Sequence, residues 1–250
     1  MTMGKTSEYR NRIYQNYGTN FQDASESFSL KRAMNWGRGY VYYLRGWLPA
    51  DRKAAIADVA CGGGKLLYLY QHLQYENFIG VDISPEQVAL ARQITPQVVQ
   101  ADVLNWLEEN PNTFDLITGF DIVEHLEKPE VLRFLDACYK ALKPGGRLVL
   151  QTPNAETPWG TMHRYNDLTH EVCFNPNLLS RLLRLSGFMF VESRETGPVP
   201  WGYSLFSSIR FLIWQIIRLG LKIWNLAETG SSGSGVFTRV FLITALKPVD

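Results

Sequence analysis

The chain has 250 residues, 46% of them hydrophobic and 20% charged, enough apolar material for one full α/β core. Its 25 basic and 24 acidic side chains leave a net charge of +1, which excludes a general electrostatic grip on nucleic acid. Three scattered cysteines, Cys61, Cys138 and Cys173, exclude a disulfide framework and a zinc module. No metal is therefore expected, and a reducing, cytoplasmic setting is. The start, Met1-Thr2-Met3-Gly4-Lys5, runs into polar sequence, so no secretory signal is expected.

Two helices are predicted first, over Glu8–Tyr17 and Ser29–Leu48, and residues 1–50 read as a helical cap rich in Tyr, Arg and Trp. A short apolar run, Ile56 to Ala60, then stops at Gly62-Gly63-Gly64. It reads as a strand entering a turn whose glycines let the backbone approach a ligand and start a helix, Lys65–Leu73. Asn77 to Asp82 makes a second strand ending in a carboxylate, and Ser84-Pro85-Glu86 opens the next helix with an N-cap and a proline at the first helical position. Val98 to Val103 repeats the pattern with Asp102, before a helix over Leu104–Glu109. Phe114 to Phe120 opens onto Asp121-Ile122-Val123-Glu124-His125-Leu126. Four strand-then-helix units thus put polar groups at one edge of a parallel sheet, where ligands bind. Farther on, Lys143-Pro144-Gly145-Gly146 closes a helix and feeds a fifth apolar strand, Arg147 to Leu150.

From Ile56 to about Leu150 this series resembles the class I S-adenosylmethionine-dependent methyltransferases. The resemblance implies a Rossmann-like sheet of seven strands, the last antiparallel, with helices on both faces. It implies S-adenosyl-L-methionine as cofactor, with Asp58, Ala60, Gly62 and Gly64 facing its methionine part. Asp82 would hold the ribose and Ile83 would lie against the adenine. Asp102 and the Val103 backbone would meet the adenine edge, and Phe120 and Asp121 would sit near the sulfonium. The turn departs from the family in carrying Ala60 where glycine is common. A nicotinamide-dependent dehydrogenase shares the glycine turn and the acid after the second strand, but its third glycine would fall on Leu67. The N-terminal segment often closes over the cofactor in such enzymes, which makes Tyr14, Tyr17 and Arg38 candidates for its carboxylate.

After the fifth strand, residues 152–175 read as an acceptor loop with Trp159, His163, Arg164, Tyr165, Asp167, His170 and Glu171. Methyl transfer is an in-line displacement, so the enzyme aligns the acceptor and removes its proton. Neutral histidine is the natural base for a hydroxyl. His170 and His163 are the catalytic candidates, with His125 and Glu124 outside them. The Asp167-Leu168-Thr169-His170-Glu171 run resembles methyltransferases of bacterial surface polysaccharide and glycan assembly. That resemblance implies a sugar hydroxyl on a glycan or glycan precursor as acceptor, with Trp159, Tyr165 and Trp201 suited to stacking on it. Another small molecule, of quinone or natural-product type, is the alternative acceptor, and a non-catalytic cofactor-binding partner protein is the third reading.

Residues 51–250 are read as the methyltransferase domain, with a sixth strand near Phe188–Arg194 and a last one near Val236–Leu246. Between them lies a helical insertion, residues 196–235, whose helix spans 204–226. On it Ser207, Arg210, Gln215, Arg218, Lys222 and Asn225 gather on one side, with a wide apolar stripe opposite. Two uses fit this helix: packing on the domain or on a partner in a homodimer, the expected one, and lying in a membrane interface as a peripheral contact.

Overall fold

A computed structural model describes residue 13, residues 27–201 and residues 203–249 of the chain. Its first described helix, α1 (Leu30–Tyr43), is followed by β1 (Ile56–Val59), α2 (Lys65–His72), β2 (Phe78–Asp82), α3 (Pro85–Ala91), β3 (Val98–Gln100), α4 (Val103–Glu108) and β4 (Phe114–Phe120). A 3-10 turn, Val123–His125, leads to α5 (Lys128–Ala141), β5 (Leu142–Pro153), α6 (Gly160–Tyr165), α7 (Pro176–Leu185), β6 (Met189–Glu195), α8 (Leu205–Thr229) and β7 (Val240–Leu246). The predicted helix over Glu8–Tyr17, with Tyr14 and Tyr17, lies outside the described residues except at Ile13.

The seven strands form one sheet in the order β3-β2-β1-β4-β5-β7-β6. β1 to β5 pair in parallel, and β7 runs antiparallel to both β5 and β6. This is the Rossmann-like arrangement expected, with the last strand antiparallel. Strand order reverses between β1 and β4, which opens a crevice beyond their carboxyl ends. Every residue of β1 is buried, as it must be in a strand covered on both faces. Ala57, Val59, Ile117 and Leu148 pack to one side against Phe134, Leu135 and Leu179, while Ile56, Leu116 and Val149 pack to the other against Leu67, Tyr70 and Trp47. The period-2 alternation of strand side chains divides the core in this way.

Local chemistry sets the element boundaries. Ser84 Oγ caps α3 at Gln87 N, and Asn175 caps α7 at Leu178 N. β3 is shorter than predicted because Asp102 Oδ1 accepts from Asn105 N at 3.0 Å and starts α4. α1 ends at Tyr43 rather than Leu48, since Gly46 turns the chain at φ +76°. The Lys143-Pro144-Gly145-Gly146 turn lies inside an irregular start of β5, with a register shift against β4 between Phe114 and Leu116.

α8 departs most from expectation. Of its side chains only Ser207 is buried. Ser207 Oγ donates to Val199 O, Trp214 Nε1 donates to Glu195, and Arg218 donates to Gly235 O and pairs with Glu195 at 3.2 Å. The polar stripe therefore faces the domain and the apolar stripe faces outward, the reverse of ordinary packing. Among the described residues no helix is long and apolar enough to cross a membrane.

Candidate active site

The turn after β1 alternates left-handed backbone, with φ of +56° at Ala60, +52° at Gly62 and +83° at Gly64. Ala60 holds a conformation that glycine adopts more readily, at a cost of about 1 kcal/mol. Asp82 fastens this turn to β2: Gly62 N donates to its Oδ2 and Ser84 N to its Oδ1, both at 2.8 Å. Beneath the turn, Tyr70 Oη donates to Thr118 Oγ1, which donates to Asp58 Oδ1 at 2.8 Å. Burial pushes Asp58 up to about 7, against the downward pull of the Thr118 bond, and the nearby Asp82 charge adds to the rise. Burial raises Asp82 as well, with the backbone N–H groups opposing it.

A cavity of about 420 Å³ opens at the carboxyl ends of β1, β2 and β4. Asp58, Ala60, Gly62, Asp82, Ile83, Asp102, Val103, Phe120 and Asp121 all line it. Gly64 does not: it caps α2 against α3, where a Cβ would sit 3.1 Å from Ala91 Cα. α1 closes the far side. Phe28, Ser29, Arg32 and Trp36 reach the wall, and Trp36 stacks on Tyr40 with ring centroids 3.8 Å apart, close to Phe120. Tyr40 Oη donates to Gln151 Oε1, and Gln151 Nε2 donates to both Asp121 oxygens at 3.2 and 3.0 Å. Asp121 opens onto the cavity at φ +54°, and the surrounding protein raises its pKa by desolvation.

Arg38, the candidate from α1 for a carboxylate, instead donates to Tyr203 O and lies over the Tyr203 ring. Arg32, one turn and a half earlier, has the place at the wall, with Lys65 from α2. No sequence motif marks either, although Arg32, Trp36 and Tyr40 recur every four residues along one helix face. Gln151, near the end of β5 beside Asp121, carries no sequence signal either.

Beside the cavity, the 3-10 turn and the acceptor loop meet. Glu171 N and Val172 N donate to Glu124 O, tying loop to turn. Asp167 Oδ1 accepts from Thr169 N and from Thr169 Oγ1 at 2.7 Å. The Thr169 hydroxyl has one proton, and it goes to Asp167, so the 2.8 Å contact between Thr169 Oγ1 and His125 Nδ1 is a donation from the imidazole. His125 thereby carries a proton on Nδ1. His170 does the same, because its Nδ1 lies 2.6 Å from His163 O, which can only accept.

His125 lines the cavity; His170 and His163 do not. His170 stands behind His125 with ring centroids 4.7 Å apart. His163 contributes its backbone carbonyl, while burial, then the charges of Arg239 and His170, lower the pKa of its ring. By placement alone, then, the cavity meets His125 and not the two histidines that the sequence puts first. The sequence spacing also hid a cluster: one ligand atom each from Glu124, His125 and His170 lies within 4.8 Å of the others, a donor set able to hold a cation. Glu124 is buried, accepts from Thr152 Oγ1 at 3.0 Å, and is pushed well above the usual carboxylate range by desolvation and by Asp121. Trp159, Tyr165 and Trp201 are exposed and lie off the main cavity; Trp159 borders a second cavity beneath α8.

A methyltransferase-domain family model matches residues 41–193, more than half of the chain. The chain belongs to this methyltransferase family. The matched span covers the glycine turn, the carboxylates after β2 and β4, and the acceptor loop. A ubiquinone biosynthesis O-methyltransferase of Aliivibrio fischeri is 33% identical over 105 residues, 40% of this chain and 44% of that protein. One from Xylella fastidiosa is 35% identical over 171 residues, 59% of this chain and 66% of that protein. The chain therefore spans under half of the first relative and about two thirds of the second. The crystal structure of an S-adenosylmethionine-dependent methyltransferase from Archaeoglobus fulgidus superposes with a TM-score of 0.63 at 21% identity, covering 96% of this chain and all of that one. The methyltransferase's cavity suits S-adenosylmethionine by its own chemistry: carboxylates at Asp58, Asp82 and Asp121, cations at Arg32 and Lys65, and a turn backbone left bare by Gly62 and Gly63.

Proposed function

We propose that this methyltransferase moves a methyl group from S-adenosylmethionine to a hydroxyl oxygen, with His125 as the base. The observation that carries this reading is the Asp167–Thr169–His125 relay, which holds a proton on Nδ1 of an imidazole that lines the cavity. When bound, the cofactor supplies an electrophilic methyl on a sulfonium. Asp82 orients the ribose hydroxyls, with Ile83 against the adenine and Asp102 and the Val103 N–H at its edge. Asp58 and the turn at Ala60 and Gly62 face the methionine, Arg32 and Lys65 suit its carboxylate, and Asp121 with Phe120 lies near the sulfonium. His125 Nε2 takes the hydroxyl proton, beside the His170 ring whose centroid lies 4.7 Å away.

A sugar hydroxyl on a glycan or glycan precursor is the first acceptor class, supported by the Asp167-Leu168-Thr169-His170-Glu171 pattern and the exposed Trp159 and Tyr165 beside it. A phenol or quinol is the second, favoured by the names of the relatives. The two separate in an assay of labelled methyl transfer to free and nucleotide-linked sugars and to catechols. Label in sugars alone supports the first class, and label in catechols alone overturns it. The free Cys61, Cys138 and Cys173 suit a reducing, cytoplasmic setting. Peripheral membrane contact through residues 204–226 would use the same outward apolar stripe, but Arg218, a cation that would flank it, is held on the domain by Gly235 O and Glu195.

A further inference from the structure

Along the outward side of α8 the residues Leu205, Ile209, Leu212, Ile216, Leu219, Ile223 and Leu226 alternate at spacings of four and three. Each residue type recurs every seven positions. In heptad terms isoleucine occupies every a position and leucine every d position, and the stripe carries no charge. All seven side chains are between 47% and 80% exposed. The opposite side of the helix, around Ser207, Trp214 and Arg218, is the one fixed to the domain. We propose that this seam is an interface with a second copy of the chain, in which the two α8 helices pair as a two-stranded coiled coil. The inference does not depend on the acceptor.

The choice of side chains identifies the occupant. β-Branched residues at a with leucine at d favour two strands, and a 3.5-residue period is the signature of a helix facing another helix. Phe206, Ile213, Ile217 and Trp224 widen the exposed apolar face beyond the seam, but a bilayer surface also asks for flanking cations that reach headgroups. Here Arg218 is held by Gly235 O and Glu195, Lys222 is half-buried, and of the three cations on the helix only Arg210 is exposed. Area agrees: covering seven such side chains removes on the order of 800 Å² per copy, the size of a standard specific interface. Gly220 adds an independent sign. It weakens the middle of an exposed helix, and a Cβ there would meet nothing within 4 Å of its own chain. At position e of the same heptad, its missing side chain lets a partner backbone come close.

Sedimentation equilibrium of the full chain, with and without Ile216→Asp, tests the proposal. The wild type is expected to be a dimer, and the variant to dissociate at least about 30-fold more readily, since a central anchor becomes a charge. Circular dichroism and thermal melting check the fold, which the outward position of Ile216 should preserve. If the variant does not fold, Leu219→Gln at the adjoining d position carries the same test. A monomeric wild type, a trimer or tetramer, or a dimer indifferent to the substitution overturns it. So does a monomer that floats with anionic phosphatidylglycerol liposomes and loses them through Ile216→Asp, because the occupant is then a bilayer.

Discussion

At the donor edge of the cleft, the groups proposed to bind lie within a few residues of the strand ends that present them: Ala60 and Gly62 after β1, Asp82 at the end of β2, Asp121 after β4. On the acceptor side, His125 meets Thr169 across 44 residues of sequence, and His170 is held by a carbonyl from a separate helix. The first region is a set of local solutions to one problem, how to bring backbone and carboxylate close to a ligand at a parallel sheet edge. The second exists only once the loop after β5 has been tied down on the turn after β4. Damage to the first should therefore appear in cofactor affinity, and damage to the second in turnover.

The largest expected effect is on the acceptor side. His125→Gln should lower kcat by about 100-fold to 10,000-fold, the range of general-base catalysis. Titration with S-adenosylhomocysteine should show affinity changed by only a few fold; a large loss of affinity with unaltered kcat would erase the distinction between the regions. At the donor edge, Asp82→Asn exchanges the carboxylate that accepts from Gly62 N and Ser84 N for a neutral amide. S-adenosylhomocysteine binding should weaken by about 10-fold to 100-fold by calorimetry, with single-turnover rates at saturating cofactor much less affected.

Next comes pH. Asp58 sits near 7 in the folded protein, so below that pH it is mostly neutral. A cationic amino group placed against it favours the carboxylate, so affinity for S-adenosylhomocysteine should rise about 10-fold from pH 6 to pH 8 and then level off. Ligand-free stability runs the other way. A group raised from 3.8 to about 7 on folding contributes stability that is full below 3.8 and lost as pH climbs through 7. Asp58→Asn should flatten both curves, as calorimetry and melting across pH 5–9 would report.

The smallest effect concerns the floor shared by the donor edge. A Cβ on Gly80 would come within 2.6 Å of Leu67 Cδ1 and 2.9 Å of Cys61 Sγ. Gly80→Ala should cost about 1–3 kcal/mol in urea denaturation by forcing β2 and α2 apart.

Legibility in the sequence follows the same division. The four strand-then-helix units and the carboxylates at their ends could be read because period, glycine and cap signals are local, whereas the antiparallel last strand came with the resemblance to the family. Gly64 shows the limit even there: a glycine in a ligand turn can serve helix packing instead. Loop position is the sequence's guide to His163 and His170, whereas the hydrogen bonds that tie His125 to Thr169 and Asp167 leave no mark in linear spacing. Arg32 and Trp36 needed the docking of α1 before they could be distinguished from Arg38. α8 was legible as an amphipathic helix, but its orientation was not. Which face meets the domain depends on Glu195 and Gly235, both outside the helix.

The central claim, a base removing a hydroxyl proton beside the bound donor, is tested most directly by single-turnover transfer of labelled methyl at saturating cofactor, followed from pH 5 to pH 9 with the labelled atom identified. The account predicts label on oxygen and a rate that rises through one deprotonation to a plateau, and that rise is lost in His125→Gln. Label on nitrogen or carbon, or a wild-type rate indifferent to pH, would contradict it.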